Sequence, residues 1–486
     1  MDYKNIGLRI GLEIHHELDT HGKLFCACST LLKTKEKPDF LIERKQIPVF
    51  GEMGEIDEAA LIETKKIKKI IYEVFEDCDC LIDIDEEPPK QPNKDALEIA
   101  LTIAELLHCK IVDEIHIMRK TIIDGSLPSG FQRTMMIGFD GWIETSKGRV
   151  EIESVSLEED SGRLTSIEDG IFVFRLDRVG TPEVEISVGM GIISPEHAME
   201  VAKLIGDIIR CTGRAKIREG SVRQDVNVSI KDGDRVEIKH VPSLSMIPVV
   251  IQKEIERQKK IIESGMKVKR EVRKVLPDGS TEFLRPLSSS ARMYPETDCL
   301  PIDTEIFLEK IRKNLPETFD KKIERYQKTG LSKDMATQIL ETNYYTLFEY
   351  FIQKFDIDAN IIANVFVNTL KDLKRREGLD VEFLEKKDFE DLFKILSNKK
   401  IMKESIPDIL KMRILNSGLS IEECVEKMGI KTISIEDLSK LVKEIISNNS
   451  GSSKEKIIGL VMSKVRGKAD PKDVINLVEK EIGLNK

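Results

Sequence analysis

In GLRIGLEIHHELDT, residues 7–20, apolar side chains fall on every second position: Leu8, Ile10, Leu12 and Ile14. A period of two belongs to a strand, so these four share one face and Arg9, Glu13, His15 and Glu17 share the other. The alternation returns in VEISV, where Val184, Ile186 and Val188 interleave with Glu183 and Glu185. In SVRQDVNVSI, Val222, Val226 and Val228 alternate with Arg223, Asp225 and Asn227, and in RVEIKHV, Val236 and Ile238 alternate with Arg235, Glu237 and Lys239. SVSLEEDSGR closes another alternating strand with Glu158, Glu159 and Asp160. Helical spacing marks residues 96–111 and 194–213; the second stretch opens with Ser194 as a cap and Pro195 in the first turn, and ends at Gly213. KVLPDGST predicts a hairpin with Asp278 and Gly279 at its turn. Past about residue 304 the strand signal fades, and IFLEKIRKNL, DFEDLFKILSNKKIM, KIIGLVMSKVRG and PKDVINLVEKEIG all carry helical spacing. The expected fold class is α+β. A mixed α/β body on a largely antiparallel sheet spans 1–303, an all-helical domain 304–408, and a small helical tail domain 409–486.

Composition narrows the function classes. At roughly 150 residues per domain, 486 residues suit about three. No apolar run approaches the roughly 18 residues of a membrane helix, and MDYKNIGLRI lacks a basic stretch followed by an apolar one. A soluble, cytoplasmic protein without membrane contact is expected. Eight cysteines in so long a chain make no disulfide framework. Cys26 with Cys28 and Cys78 with Cys80 form two C-x-C pairs, which are either four zinc ligands or reduced thiols. The formal charge of −10 means that a nucleic acid must be met by local basic faces, and KVKREVRK and SKVRGK are the densest. Aromatics at 5% argue against a broad stacking surface.

If the charged strand faces share one sheet, they form a basin of carboxylates with a few cations and a histidine. Buried unpaired carboxylates are prohibitively costly, so such a basin is either wet or holds cations. Oxygen ligands favour Mg²⁺, which usually comes with substrate phosphates. The alternative is that each strand shows an ordinary solvated face, as antiparallel sheets often do. No phosphate-cradling glycine motif settles the choice.

Longer motifs carry a resemblance. IGLRIGLEIHHELDTHGKLFCAC, MRKTIIDGSLPSGFQRT, ESVSLEEDSGR, DRVGTPEVEISV, REGSVRQDVNVSI, VEIKHV and LRPLSSSARMYPETDCLPI follow in the order seen in the B/E subunits of tRNA-dependent amidotransferases, and GKADPKDVINLVEKEIG resembles the end of their tail domain. FQRT, DIDEEPP and ARMYPETD are similar to the archaeal E branch, while a C-P-x-C segment typical of the bacterial B branch is absent.

The resemblance implies a cradle-shaped catalytic body. It implies ATP and Mg²⁺ as cofactors, Glu-tRNA(Gln) as substrate, and an asparaginase-like D subunit as ammonia source in a heterotetramer of two D and two E subunits. Phosphorylation of the glutamyl side chain followed by attack of ammonia yields Gln-tRNA(Gln). The family's metal and ATP ligands match Glu13, His15, Glu159, Glu185, Asp225 and Glu237, and the implied catalytic set is Glu13, His15, Glu159, Arg223 and Lys239. Arg292 is a further candidate for phosphate oxygens, as are Arg119 and Lys120 for phosphates or the tRNA end, and Lys464, Arg466 and Lys468 for tRNA. One departure stands out. The E branch usually carries a domain resembling part of an aspartyl-tRNA synthetase, where this chain has only MKVKREVRKVLPDGSTE, so the chain is either trimmed there or a natural short form. Two other readings stay open: a B-type subunit with a glutaminase partner, or a non-catalytic RNA-binding protein.

Overall fold

A computed structural model of the chain describes residues 2–34, 36–47, 62, 64–122, 124–287, 293–430, 435–449, 452–465, 469 and 471–484. The chain divides into two compact units, Met1–Thr318 and Phe319–Lys486.

The first unit is built on one large sheet. In chain order its strands are β1 (Arg9–Glu17), β2 (Phe40–Arg44), β3 (Lys69–Val74), β4 (Lys110–Ile111), β5 (Glu114–Ile115), β6 (Ile117–Thr121), β7 (Phe131–Thr145), β8 (Gly148–Glu159) and β9 (Arg163–Glu168). They continue with β10 (Ile171–Arg175), β11 (Pro182–Val188), β12 (Val222–Ser229), β13 (Val236–Lys239), β14 (Glu271–Val275), β15 (Thr281–Pro286), β16 (Met293–Pro295) and β17 (Ile302–Asp303). The large sheet runs β15-β14-β13-β12-β1-β11-β8-β7-β6-β16, with β4 also on β7. Every pairing along it is antiparallel except β13 with β14. A smaller sheet, β2-β3-β10-β9, has its own core around Ile70, Tyr72, Leu127 and Phe174.

Four helices cover one face of the large sheet: α1 (Lys94–Leu106), α2 (Pro195–Cys211), α3 (Met246–Glu263) and α4 (Glu305–Lys313). Their apolar stripes meet Leu12, Ile14, Leu157, Val184, Ile186, Val226 and Ile238 in a single core. The central strands therefore bury one side under helices, and their charged side faces the other way. Ser194 caps α2 by accepting from the His197 amide at 3.1 Å, as the sequence predicts. The helix expected over 96–111 stops at Leu106. His108 adopts a left-handed φ of 57°, and Lys110–Ile111 leave as β4 to pair with β7. α4 belongs to this unit beyond residue 303, since Phe307 and Ile311 enter its core and Lys310 pairs with Glu98 at 2.9 Å.

The predicted hairpin is β14–β15. Leu276 and Ser280 close it, and Gly279 turns with φ 84°, a left-handed value that a side chain resists. α3 joins β13 to β14 as a crossover, as parallel neighbours require.

The second unit is helical throughout its described residues. Tyr344, Phe351, Phe366, Phe389 and Phe393 pack ring to ring at its first core. Three last helices, α13 (Ile435–Asn448), α14 (Lys454–Val465) and α15 (Pro471–Leu484) in a count that gives α5–α12 to the helices between Phe319 and Lys427, share a small core of their own around Val442, Val461 and Val478. Among the described residues no helix is long and apolar enough to cross a membrane.

Candidate functional site

The charged side of the large sheet encloses a cavity of about 1040 Å³. Strand register assembles it. Glu13 on β1 lies opposite Asp225 on β12, and His15 lies between Glu185 on β11 and Arg223 on β12. Glu183 on β11 faces Glu158 on β8, and Asn227 faces Glu237 on β13. Glu13, His15, Glu185, Asp225, Glu237, Arg223 and Lys239, all expected in the sequence, line this cavity together with Lys120, Glu158 and Glu183.

Charge is arranged in pairs. His15 Nδ1 lies 2.9 Å from Glu183 Oε1 and 3.9 Å from Glu185 Oε2. Burial opposes protonation of His15, but the Glu183 hydrogen bond and the surrounding carboxylates outweigh it and push its pKa up to about 9. Lys120 Nζ donates to Glu158 at 2.8 Å and lies 3.5 Å from Glu185. Lys239 Nζ sits 2.8 Å from both Asp225 and Glu237. Arg223 grips two carboxylates, Asp160 at 2.9 and 3.0 Å and Glu183 at 2.7 and 2.5 Å. That engagement makes it a strut of the cavity wall.

The carboxylates divide accordingly. Burial works against ionised Glu185 and Asp225, yet Lys120 and His15 hold the first at about 2, and Lys239 and His15 hold the second at about 2. Glu13 and Glu158 are pushed the other way, by burial and then by the carboxylates Glu237 and Glu185 respectively. Glu158 Oε2 and Asn227 Oδ1 are buried without a hydrogen-bond partner among the described residues. Glu13, His15 and Asp225 bring ligand atoms within 4.8 Å of one another, and so do His15, Glu158 and Glu183. Hard oxygen donors with unspent lone pairs and crowded negative charge fit a divalent cation such as Mg²⁺.

Glu159 does not join the basin, and its placement corrects the sequence-based expectation. Val155 and Leu157 point into the core, so period two puts Glu159 with them and Glu158 on the cavity side. Glu159 accepts from the Arg133 backbone N–H at 3.0 Å and from its guanidinium at 3.3 Å. Arg133 also donates to Glu296 at 2.9 Å, and Arg119 donates to Glu296 at 2.8 and 2.6 Å. Arg119 is thereby bound away from the basin that Lys120 enters. Counting outward from Val155 and Leu157 would have chosen Glu158. Alternation already places Glu183 on the face of Glu185, whereas no spacing in the sequence announces the pairing of Lys120 with Glu158.

The cysteine pairs meet differently from the expectation. Cys26, Cys28 and Cys80 come together with Asp83, ligand atoms within 4.8 Å, while Cys78 is buried outside the group. The strand-free turn after Cys80 returns Asp83, whose Oδ2 accepts from the Cys80 amide at 3.0 Å. Lys23 lies 2.9 Å from Asp79 and 3.2 Å from Asp83, so that carboxylate already has a cation. Arg292, Arg466 and Lys468 lie outside the described residues. Lys464 is exposed on α14 of the second unit.

Known proteins share this chain's sequence over both units. The GatB/GatE catalytic domain matches residues 8–307, and a GatB domain matches residues 346–482. Archaeal E subunits of glutamyl-tRNA(Gln) amidotransferase are similar along the whole length. That of Methanocaldococcus jannaschii is 35% identical, with 99% of each chain covered, and that of Thermococcus gammatolerans is 34% identical at the same coverage. The Methanosarcina acetivorans protein is 31% identical, covering 99% of this chain and 98% of its own. The Methanocaldococcus jannaschii match runs over 627 positions, 141 more than this chain has residues, so that relative carries at least that many without counterpart here. The catalytic-domain match spans more than half of the chain, and it joins relatives that agree over nearly all of it: the chain belongs to the family of glutamyl-tRNA(Gln) amidotransferase E subunits.

Proposed function

We propose that this chain is the synthetase component of a tRNA-dependent amidotransferase, converting Glu-tRNA(Gln) to Gln-tRNA(Gln) with ATP and with ammonia supplied by a partner amidase. The observation that carries this reading is the basin itself: buried carboxylates in excess of their cations, two of them pushed toward protonation, around a histidine. In the first step an oxygen of the glutamyl side chain attacks the γ-phosphorus of ATP, the bond to ADP breaks, and an acyl phosphate forms. In the second, ammonia attacks the acyl carbon, phosphate leaves, and one proton is lost to give the amide.

Glu13, Asp225, Glu158 and Glu183 are the residues that would hold Mg²⁺, joined by His15 where the cation displaces its proton, with Glu185 and Glu237 beside them. When bound, Mg²⁺ supplies charge neutralisation for phosphate oxygens, which phosphoryl transfer needs more than covalent help. Lys120 and Lys239 keep Glu185 and Asp225 ionised and positioned. Arg223 fixes Glu183 and Asp160, and with them the wall that orients His15. Glu183 holds the His15 ring through Nδ1. A D-type amidase partner, and assembly with it as two copies of each chain, follow from the family reading.

The test is to incubate the chain with Glu-tRNA(Gln), ATP, Mg²⁺ and an ammonium salt. Gln-tRNA(Gln) should form with one ADP per amide, and withholding ammonium should still allow ADP release that depends on Glu-tRNA(Gln). Binding of Glu-tRNA(Gln) without any stimulated ADP release would favour the non-catalytic RNA-binding alternative instead.

A further inference from the structure

The cavity has a second half that the chemistry above leaves idle. β13, β14 and β15 are the last strands at one end of the large sheet. Val236 pairs with Glu271, so Arg235 stands beside Arg270, and Val272 pairs with Arg285. Arg235, Arg270 and Arg285 all line the cavity, with Leu284 and Leu287 among them. The cations of the other half are taken up by Glu158, Asp225, Glu237, Asp160 and Glu183. Arg235 makes no ion pair among the described residues, and Arg270 reaches only Asp234, at 3.9 Å, with 61% of its side chain exposed. Within the basic run 267–274, Arg273 is bound to Glu271 and Thr281, and Lys274 pairs with Glu282 at 3.0 Å. Arg270 is the guanidinium of that run that faces the cavity.

We propose that Arg235 and Arg270, with Arg285 beside them, hold backbone phosphates of the tRNA strand that carries the aminoacyl end into the cavity. The proposal rests on the function proposed above. A nucleotide is taken in whole next to the carboxylates that hold its cation, whereas a polynucleotide has to leave the cavity again. The exposed end of the sheet is where such a strand passes, and guanidinium groups suit phosphate oxygens bidentately. Leu284 and Leu287 give ribose and base an apolar surface between the charges. The binding is sequence-tolerant, because it reads phosphate.

The test uses the full chain and measures the affinity for Glu-tRNA(Gln) across salt concentrations, and separately the affinity for ATP with Mg²⁺. A double variant, Arg235→Gln with Arg270→Gln, should weaken tRNA binding about tenfold near 0.15 M salt and lower the log–log salt slope by about 1.4, at about 0.7 per single-strand phosphate. Its ATP affinity should stay within about twofold. Arg235→Lys with Arg270→Lys keeps the charge and should restore the slope, which separates charge from folding. An unchanged tRNA slope in the glutamine variant overturns the inference. Lost ATP affinity with intact tRNA binding also overturns it and assigns the guanidinium groups to the nucleotide. A parent chain that binds no tRNA overturns the proposed function as well, and is recognised in the parent alone.

Discussion

Glu158 and Glu159 are neighbours in sequence and opposite in role, so replacing each by glutamine makes a sharp experiment. Glu159 is 5% exposed and is held by the Arg133 amide and guanidinium. Removing one partner of a buried pair costs about 3–5 kcal/mol when the other is left alone. Arg133 keeps Glu296 at 2.9 Å, and a glutamine oxygen still accepts from the amide, so about 2 kcal/mol is the expected loss. With about 2.1 cal/mol/K of unfolding entropy per residue, the 318-residue unit loses about 1.5 °C of Tm per kcal/mol, hence about 3 °C here. Glu158→Gln gives up the Lys120 pair, but it also relieves repulsion from Glu185, and Thr134 can still donate to it at the 2.6 Å site. Its Tm should move by less than about 1.5 °C, within the 1 kcal/mol expected of offsetting terms. Activity should follow the opposite order. Tested by calorimetry and by Glu-tRNA(Gln)-stimulated ADP release, Glu158→Gln should lose about a hundredfold or more, on the scale of a lost electrostatic stabiliser of a transition state. Glu159→Gln should keep most of the parent's rate at 25 °C. A stable but inactive Glu159→Gln beside an active Glu158→Gln would refute the face assignment.

Further expectations are as direct. The pKa of His15 is raised to about 9, so without divalent cations its protonated form contributes stability that is full below about 6.5 and lost as pH rises through 9; the fall in Tm across that window should flatten in His15→Gln. Burial lowers the neighbouring His16 to about 4 despite its bond to the Lys216 carbonyl at 3.0 Å, so it is neutral at pH 7 and its contribution is lost as pH falls from 6.5 through 4, a loss absent in His16→Gln. The chain alone should convert Glu-tRNA(Gln) with ammonium and not with asparagine or glutamine; release of ammonia from either amide by the purified chain would reveal a second active site. A Cβ on Gly279 would stand 2.8 Å from Val249 Cγ1 in a backbone with φ 84°, so Gly279→Ala should destabilise by about 1–3 kcal/mol, read as a drop in denaturant midpoint at unchanged slope.

Much of the scaffold was legible because period two is written into β1, β11, β12 and β13 without interruption. Those strands supplied Glu13, His15, Glu185, Asp225 and Glu237 on one face. β8 was harder, because its pairing slips: Ile152 and Val155 are both buried, an odd step that reverses which parity faces the core. Pattern read from the first half of that strand misassigns the second. The end of α1 was overextended because Leu107 and Ile111 keep a helical spacing even though a left-handed His108 stands between them. Asp83 in place of Cys78 was out of reach, since a turn and not a periodic element selects which side chain returns.

His15–His16 and Glu158–Glu159 are each a doubled letter, and in each the sheet sends one copy to the cavity and the other to the opposite face. The doubled letters alone do not say which copy enters the cavity. Any transfer of function between members at these positions is therefore ambiguous at the level of text. The ambiguity is resolved only by the apolar neighbours: Ile14 commits His15 to one side, and Leu157 commits Glu158. What assigns each copy its role is the phase of the flanking hydrophobic residues, and a single residue inserted or deleted between them and the doubled letters would exchange ligand for strut while leaving the doubled letters intact.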